Sequence, residues 1–244
     1  MTSDGLSAFE GVKALTFDVF GTVTDWRSSV IAEGERLGAE KGFETDWGTF
    51  VDEWRFDGYI AGMRRVRDGE LPWMTVDELH RRKLNELLVE RGIEGLSEAE
   101  VDHFNRIWHR LDPWPDSVAG LDRLRTKFVV STLSNGNVAL LVDMAKHGGL
   151  HWDCVLSAEL TGAFKPDPQC YRRAVEILGL EPHEVMMVAA HQGDLRAAIG
   201  VGLRAAFIPR PHELGPDRQP DPTPDAAFDV VADGFLDLAD KLDC

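Results

Sequence analysis

The chain contains few cysteines, no long apolar run and no excess of positive charge. Its 244 residues include three cysteines, Cys154, Cys170 and Cys244, whose wide spacing fits no metal-binding pattern. We expect free thiols in a reducing compartment, and hence a cytoplasmic location. No apolar run approaches the ~20 residues that span a bilayer, so no membrane partner is expected. The N-terminus also lacks the basic and apolar regions of a signal peptide.

Negative charge dominates the sequence. Its 42 Asp and Glu residues exceed its 26 Lys and Arg residues, which gives a formal net charge of -16 at pH 7. This excess disfavours nonspecific attraction to DNA, RNA or anionic lipid, so no nucleic-acid partner is expected. An anionic ligand would need a local cationic site, because the field of the whole protein repels it.

Hydrophobic periodicity divides the chain into two regimes. The short apolar run at residues 12–17 ends in Asp-Val-Phe-Gly-Thr and predicts a buried strand entering a turn. Residues 26–110 instead have apolar residues at helical spacing, and Ser97 followed by Glu100 predicts a capping box. This stretch is predicted to be an all-helical block inserted after the first strand.

Short β-like runs alternate with helical ones after the proline-punctuated segment DPWPDS. This alternation predicts an α/β fold with a doubly wound parallel sheet, a Rossmann-like core, interrupted by a helical cap. We assign residues 1–25 and 112–244 to the core and residues 26–111 to the cap. Six of the 12 prolines fall in residues 209–224, which we interpret as a surface loop.

The carboxyl ends of the predicted strands are where chemistry is expected, since doubly wound sheets bind ligands there. The residues found at or just beyond these strand ends, or in the loop AFKPDP, are Asp18, Ser134, Asn135, Lys165, His191 and Asp194. They are far apart in sequence, but the fold can bring them to one crevice.

Four segments around these residues carry a family resemblance. In chain order, LTFDVFGT, LSNGN, FKPDPQCY and VAAHQGDLRAA resemble the four motifs of the haloacid dehalogenase superfamily. The resemblance spans residues 12–235. Within that superfamily, Phe-Asp-Val-Phe-Gly-Thr together with Ser-Asn-Gly is most similar to the type II L-2-haloacid dehalogenases.

Two positions favour dehalogenation over phosphate transfer within that resemblance. The superfamily's phosphatases carry a proton-donating aspartate two positions after the nucleophile, where this chain has Phe20. They also hold Mg²⁺ with an acid in the fourth motif, where this chain has Ala190. Halide is a leaving group that needs neither a proton nor a metal. The resemblance therefore implies a hydrolase that needs no metal or other cofactor.

The resemblance also implies the catalytic roles. Asp18 matches the nucleophile, which would displace halide from a small anionic 2-haloalkanoic acid and form an ester that water then hydrolyses. Lys165 would keep Asp18 ionised by lowering its pKa. Thr22 matches a hydroxyl that bonds the nucleophile. Asp194 matches the partner of the lysine and a group that helps to activate water.

Substrate-binding roles are implied for residues that line or approach the nucleophile. Arg55 resembles the cap arginine that binds the substrate carboxylate or draws out the halide, and Arg27 competes for that role. The other positions implied to contact or enclose substrate are Phe20, Ser134, Asn135, Tyr171 and His191. At His191 the type II enzymes usually have Asn, and at Ala189 usually Ser, so the role of His191 stays open.

Two other functions compete with dehalogenation. One is a Mg²⁺-dependent phosphatase of small metabolites, and the other is a catalytically silent binding protein. The resemblance also allows a homodimer, because many family members are dimers. The basic residues of the block outside the proposed site are expected on solvated helix faces; these are Arg64, Arg65, Arg67, His80, Arg81 and Arg82.

Overall fold

A computed structural model describes residues 9–216 and 218–244 of the chain. The expectation about a signal peptide concerns an N-terminus whose residues 1–8 lie outside the described residues. None of the described helices combines the length and the apolar character needed to cross a membrane. Cys154, Cys170 and Cys244 are free thiols, as predicted.

Six parallel strands form one sheet within residues 9–216 and 218–244, so the predicted doubly wound fold is confirmed. The strands follow the order β3-β2-β1-β4-β5-β6, which places β1 at the centre of the sheet. Their bounds are β1 Ala14–Phe17, β2 Val129–Ser134, β3 Cys154–Ser157, β4 Val185–Ala189, β5 Arg204–Phe207 and β6 Val230–Val231. From β1 the chain adds β2 and β3 on one side and then β4, β5 and β6 on the other side. A crevice opens at the carboxyl ends of the strands where the strand order changes sides in this way.

Both faces of the sheet are buried, which explains the nearly continuous apolar character of its central strands. On one face, Leu15 and Phe17 pack in the larger apolar cluster, which extends into the helical block. On the other face, Ala14 and Met187 pack in a second cluster. Phe17, the last residue of β1, lies opposite Thr132 of β2 and Val188 of β4, so β4 continues one residue and β2 two residues beyond the end of β1.

The long connection from β1 to β2 is helical, as the spacing of its apolar residues predicts. Its elements are α1 Trp26–Lys41, α2 Trp47–Glu53, a π-helical segment Trp54–Ile60, α3 Ala61–Arg67, α4 Val76–Glu90, α5 Glu98–Asn105, a 3₁₀ turn Arg106–His109 and α6 Ser117–Leu124. The predicted capping box of Ser97 and Glu100 is present at the start of α5.

Four further helices cover the sheet. They are α7 Val138–Gly148, α8 Pro168–Leu178, α9 Gln192–Ile199 and α10 Phe235–Lys241. Asp167 caps α8 by accepting a hydrogen bond from the backbone N–H of Gln169, and Pro168 occupies the first turn, where its missing N–H costs nothing. This N-terminal capping of α8 by Asp167 fixes the end of the loop that carries Lys165.

Aromatic side chains fill the centre of the helical block. Trp26, Trp54 and Trp108 are fully buried. The imidazole of His80 stacks on Trp108, with ring centroids 4.1 Å apart. The prediction that His80 lies on a solvated helix face is therefore wrong: its neighbour Arg81 is partly exposed, but His80 is 0% exposed. Burial lowers the pKa of His80 well below its usual value, so the ring is neutral.

A buried histidine joins the helical block to the core. His109 is 3% exposed, and its Nε2 and Nδ1 atoms lie 3.0 Å from Asp77 Oδ1 and 2.8 Å from Asp143 Oδ2. Asn137 donates to the other oxygen of Asp77 at 2.9 Å. Burial acts to lower the pKa of His109, but the two carboxylates outweigh it and the pKa is raised. The junction therefore holds the His109 imidazolium between Asp77 of the helical block and Asp143 of the core.

We expect His109→Gln to lower the free energy of unfolding by about 1–3 kcal/mol at about pH 6. The pKa of His109 is raised on folding from its ordinary value of 6.5. The protonated ring therefore stabilises the fold fully below pH 6.5, and this stabilisation is lost as the pH rises through the pKa of His109 in the folded protein. The deficit of the variant should thus shrink at about pH 9. Urea unfolding at both pH values measures it.

His147→Gln is the matched control, because His147 also contacts an aspartate, Asp112, from α7. Its side chain is 37% exposed and that of Asp112 is 74% exposed, so its loss should cost less than about 1 kcal/mol. Equal deficits for the two variants would contradict the role given to the buried junction.

Candidate active site

A cavity of about 350 Å³ opens where the strands end and the helical block covers the sheet. From the core it is lined by Asp18, Phe20, Asn135, Phe164, Lys165 and Asp194, among others, and from the block by Arg55, Tyr59, Ile60 and Met63. Except for Ser134, the residues predicted at the strand ends thus converge on one cavity, although Asp18 lies more than a hundred residues before the others in the chain.

Asp18 follows β1 and is 7% exposed. Its Oδ1 atom accepts a hydrogen bond from Lys165 Nζ at 3.0 Å. Its Oδ2 atom accepts one from Thr22 Oγ1 at 2.8 Å and lies 2.9 Å from His191 Nδ1. Burial acts to raise the pKa of Asp18, but Lys165 and His191 outweigh it and hold the pKa well below its usual range. Asp18 is therefore an ionised carboxylate at neutral pH.

Lys165 lies between two carboxylates. Its Nζ atom contacts Asp18 Oδ1 and also donates to Asp194 Oδ2 at 2.5 Å. Burial acts to lower the pKa of Lys165, but the two anions outweigh it and raise the pKa. Burial raises the pKa of Asp194 against the opposing pull of Lys165. The ammonium group keeps two carboxylates side by side in a site that excludes most water.

Asn135 supports the loop of Lys165. Its side-chain oxygen accepts from the backbone N–H of Lys165 at 2.7 Å, and its amide donates back to the Lys165 carbonyl at 3.4 Å. It also lines the cavity. Ser134 differs, because it is 1% exposed, is absent from the cavity wall, and accepts from the backbone N–H of Gly136. It fixes the turn after β2 and has no direct path to a ligand.

Tyr171 lies behind the cavity, in contrast to the expectation that it lines the pocket. Its ring is 0% exposed, and its hydroxyl donates to Asp194 Oδ1 at 2.5 Å. Burial together with Asp194 raises the pKa of Tyr171, so the hydroxyl keeps its proton and remains a donor. Tyr171 therefore orients Asp194.

Arg55 is a buried cation that faces the cavity from the helical block. It lies in the π-helical segment, a widened turn of a kind that often occurs at functional sites. Its guanidinium carbon lies 5.3, 5.1 and 4.5 Å from the ring centroids of Phe20, Trp26 and Tyr59. Arg55 is 5% exposed, and its buried Nη1 atom has no hydrogen-bond partner in the described part of the chain.

Arg27 is already paired elsewhere. Its guanidinium donates to both oxygens of Asp52, at 2.9 and 3.2 Å, and it is not part of the cavity wall. Because two N–H groups of the Arg27 guanidinium already bind both oxygens of Asp52, they are not free to bind the carboxylate of a substrate. The geometry thus separates the two arginines, which the sequence could not do.

The rim of the cavity carries two more cations. Arg64 and Arg67 are exposed, as predicted, but they also line the cavity entrance. Phe20 is 2% exposed and forms part of the cavity wall. A chain with net charge -16 therefore presents a cationic entrance to its cavity.

Sequence reasoning missed Glu213. This residue lies in the proline-rich stretch interpreted as a surface loop, yet it is 2% exposed. Its Oε1 and Oε2 atoms lie 2.9 and 3.1 Å from His191 Nε2. It lies against Gly21, whose φ of +85° suits glycine and where a Cβ atom would overlap the Glu213 carboxylate. No local pattern in the sequence marks Glu213 as buried, because its burial depends on contacts with residues far away in the chain.

The donor set does not fit a magnesium ion. The described residues contain no group of three or more His, Cys, Asp or Glu side chains arranged to hold a metal. Asp18 and Asp194, the two cavity carboxylates, are already bridged by Lys165. Ala190 contributes only its backbone, whose N–H donates to Thr22. Mg²⁺ prefers carboxylate and water oxygens in octahedral array.

Comparisons with known proteins agree with this geometry. A family model described as haloacid dehalogenase-like hydrolase matches residues 12–202. The chain is 45% identical to a solved L-2-haloacid dehalogenase, over 95% of this chain and 100% of the other, with a TM-score of 0.89. It is 42% identical to a solved defluorinating L-2-haloacid dehalogenase, over 96% of each chain, with a TM-score of 0.92.

Curated relatives are more distant. The (S)-2-haloacid dehalogenase 4A of Burkholderia cepacia is 28% identical over 82% of this chain and 84% of its own length. A phosphoglycolate phosphatase of Neisseria meningitidis is 27% identical over 80% of both. Identity at this level therefore does not choose between the two reactions, but the 191 residues matched by the family model settle the family. The chain belongs to the haloacid dehalogenase-like hydrolases.

Proposed function

We propose that this protein is a hydrolytic dehalogenase of the (S)-2-haloacid dehalogenase type, which converts short 2-haloalkanoic acids such as haloacetates into 2-hydroxy acids and halide. One observation carries the proposal: the ionised Asp18 shares a largely apolar cavity with Arg55, a buried cation that forms no salt bridge with a carboxylate in the described part of the chain. The site has one group to attack an electrophilic carbon and one to receive an anion.

The first step is displacement at carbon. Arg55 binds the carboxylate of the substrate or the departing halide, and Asp18 attacks the carbon that carries the halogen. The carbon–halogen bond breaks, the halide leaves with its electron pair, and an Asp18 ester remains. Confinement beside a fixed carboxylate favours this step, because orienting two reactants can supply ~7–11 kcal/mol of a barrier.

The second step is hydrolysis of the ester. Water adds to the Asp18 carboxyl carbon, with Asp194 as the group that accepts its proton. The raised pKa of Asp194 suits it to this role, and Tyr171 and Lys165 hold its two oxygens in place. The bond from the carboxyl carbon to the ester oxygen then breaks, the proton passes from Asp194 to that oxygen, and the 2-hydroxy acid leaves with the Asp18 carboxylate regenerated.

Phosphate transfer is the rival reaction, and no observation in the site favours it. Phe20 occupies the position of the phosphatase acid, packs 5.7 Å from the ring centroid of Tyr59, and has no proton to donate. A catalytically silent protein is disfavoured by the intact triad of Asp18, Lys165 and Asp194, because buried charges without a function are costly to keep.

The proposal extends to the domains, the location and the oligomeric state of the enzyme. Residues 26–111 act as a cap over a core of residues 1–25 and 112–244, and the cap supplies Arg55 and Tyr59 to the cavity. Three free thiols suit the cytoplasm. The homodimer that the family resemblance allows stays a prediction, and sedimentation measures it.

Wild-type protein should release halide from chloroacetate whether or not a chelator is present, and Asp18→Asn should lose at least about 10⁴-fold in kcat. The amide keeps the size of the side chain but is a poor nucleophile. Ion chromatography of the released halide measures the rate. Asp122→Asn, on the exposed face of α6, is the control and should keep full activity. Chelator-sensitive phosphate release without halide release would replace this function with the phosphatase.

Arg55→Met should lower kcat/KM by about 10–100-fold, because a charge-assisted hydrogen bond to the substrate or halide is lost. Arg27→Met removes the same charge from the same cap and should change kcat/KM by less than about 3-fold, since Arg27 is bound to Asp52. Steady-state kinetics with chloroacetate and bromoacetate compare the two variants. The opposite order of effects would give the substrate role to Arg27.

A further inference from the structure

Glu213 is a buried carboxylate that faces the active site without touching the cavity. It reaches His191 from the loop after β5, and Trp26 Nε1 also donates to its Oε1 atom at 3.2 Å. It is not part of the cavity wall, so it acts on a substrate only through another group. That group is His191, whose side chain is 38% exposed and lines the cavity.

His191 bridges Glu213 and the nucleophile. Its Nε2 atom faces Glu213, and its Nδ1 atom faces Asp18 Oδ2 at 2.9 Å. Each ring nitrogen must carry a hydrogen to donate to its carboxylate, so the ring is an imidazolium. Burial acts to lower the pKa of His191, but Glu213 and Asp18 outweigh it and raise the pKa to about 10. With both nitrogens protonated, the ring is a donor and not a base.

The two oxygens of Asp18 differ in their surroundings. Among the described residues, Oδ2 accepts from two side chains, Thr22 and His191, whereas Oδ1 accepts from Lys165 alone. A carboxylate oxygen has two lone-pair sites, so Oδ1 keeps one free for attack and Oδ2 does not. Oδ1 thus becomes the ester oxygen, and Oδ2 remains the carbonyl oxygen of the intermediate.

We propose that His191 and Thr22 form the oxyanion site for hydrolysis of the Asp18 ester, and that Glu213 is the positioning residue that holds His191 in it. This inference rests on the proposed function. When water adds to the carboxyl carbon, the electron pair of the carbonyl bond moves to Oδ2, between the two donors. Collapse re-forms that carbonyl bond and breaks the bond from the carboxyl carbon to Oδ1. One water proton ends on the product hydroxyl, and the other is released.

The two donors affect the two steps in opposite ways. During displacement, Asp18 loses negative charge, so donors at Oδ2 do not help. During hydrolysis, Oδ2 gains a full negative charge, so the same donors lower the barrier. Loss of the His191 donor, or of the Glu213 carboxylate that holds it, must therefore slow hydrolysis of the ester more than its formation.

Glu213→Gln tests the inference, because the amide oxygen still accepts from His191 but the charge is gone. With chloroacetate in rapid-quench experiments, we expect a burst of one chloride per active site, followed by a steady rate about 10²-fold below that of the wild type. Intact-mass measurement during turnover should show the variant carrying a carboxymethyl group, which wild-type protein does not accumulate.

Asp225→Asn is the matched control, since Asp225 is an acid directly after the proline-rich stretch and pairs with exposed Arg196. It should show neither burst nor adduct. His191→Asn keeps a neutral hydrogen-bond donor and is a second test of the inference. It should also show the burst of chloride. The double variant His191→Asn with Glu213→Gln should have a steady rate no slower than that of His191→Asn alone, because Glu213 acts through His191.

The outcomes are separable. A Glu213→Gln variant that is slow without burst or adduct, while wild-type protein releases chloride, overturns the inference and leaves the proposed function intact. A fully active Glu213→Gln overturns it in the same way. If the wild type releases no chloride, the proposed function fails and the inference fails with it.

Discussion

A single ammonium group holds the catalytic centre together. Lys165 lies between Asp18 and Asp194, and without it two buried carboxylates would face each other with no counter-charge nearby on that side. Burying charges is favourable only where each is paired and hydrogen-bonded, and here Thr22 and Tyr171 complete the set. The same pairing that makes the centre stable leaves Asp18 ionised, which is the state that nucleophilic attack needs.

Charge is distributed unevenly over the molecule, and this fits its proposed ligand. The whole chain repels anions, but the cavity holds Arg55 inside and exposes Arg64 and Arg67 at its entrance. Aromatic rings around Arg55 stabilise its charge without neutralising it. An acidic protein can thus select small anions through one local site.

The sequence predicted the parts of the site that depend on short stretches of chain. Asp18, Asn135 and Asp194 follow strands that short apolar runs in the sequence predict. Because the carboxyl ends of parallel strands lie at one edge of the sheet, these residues meet at one cavity. Glu213 and the choice between the arginines depend on contacts over large sequence separations. No periodicity shows that Asp52 satisfies Arg27, or that a proline-rich loop folds inward.

The π-helical turn and the burial of His80 were equally out of reach, because both follow from how the helical block packs. An extra residue in one turn changes which side chains face the sheet, and helical spacing in the sequence does not show it. His80 sits among charged neighbours in sequence, yet it packs on Trp108 in the folded block.

The contact between Gly21 and Glu213 limits how this lineage can diverge. A side chain at position 21 would need the space that the Glu213 carboxylate fills, and Glu213 without an imidazolium at position 191 would be a buried charge that has lost its hydrogen-bonded cationic partner. Positions 21, 191 and 213 are therefore expected to co-vary. Relatives with asparagine in place of His191 should carry a neutral residue in place of Glu213, and an alignment would show this as a linked exchange.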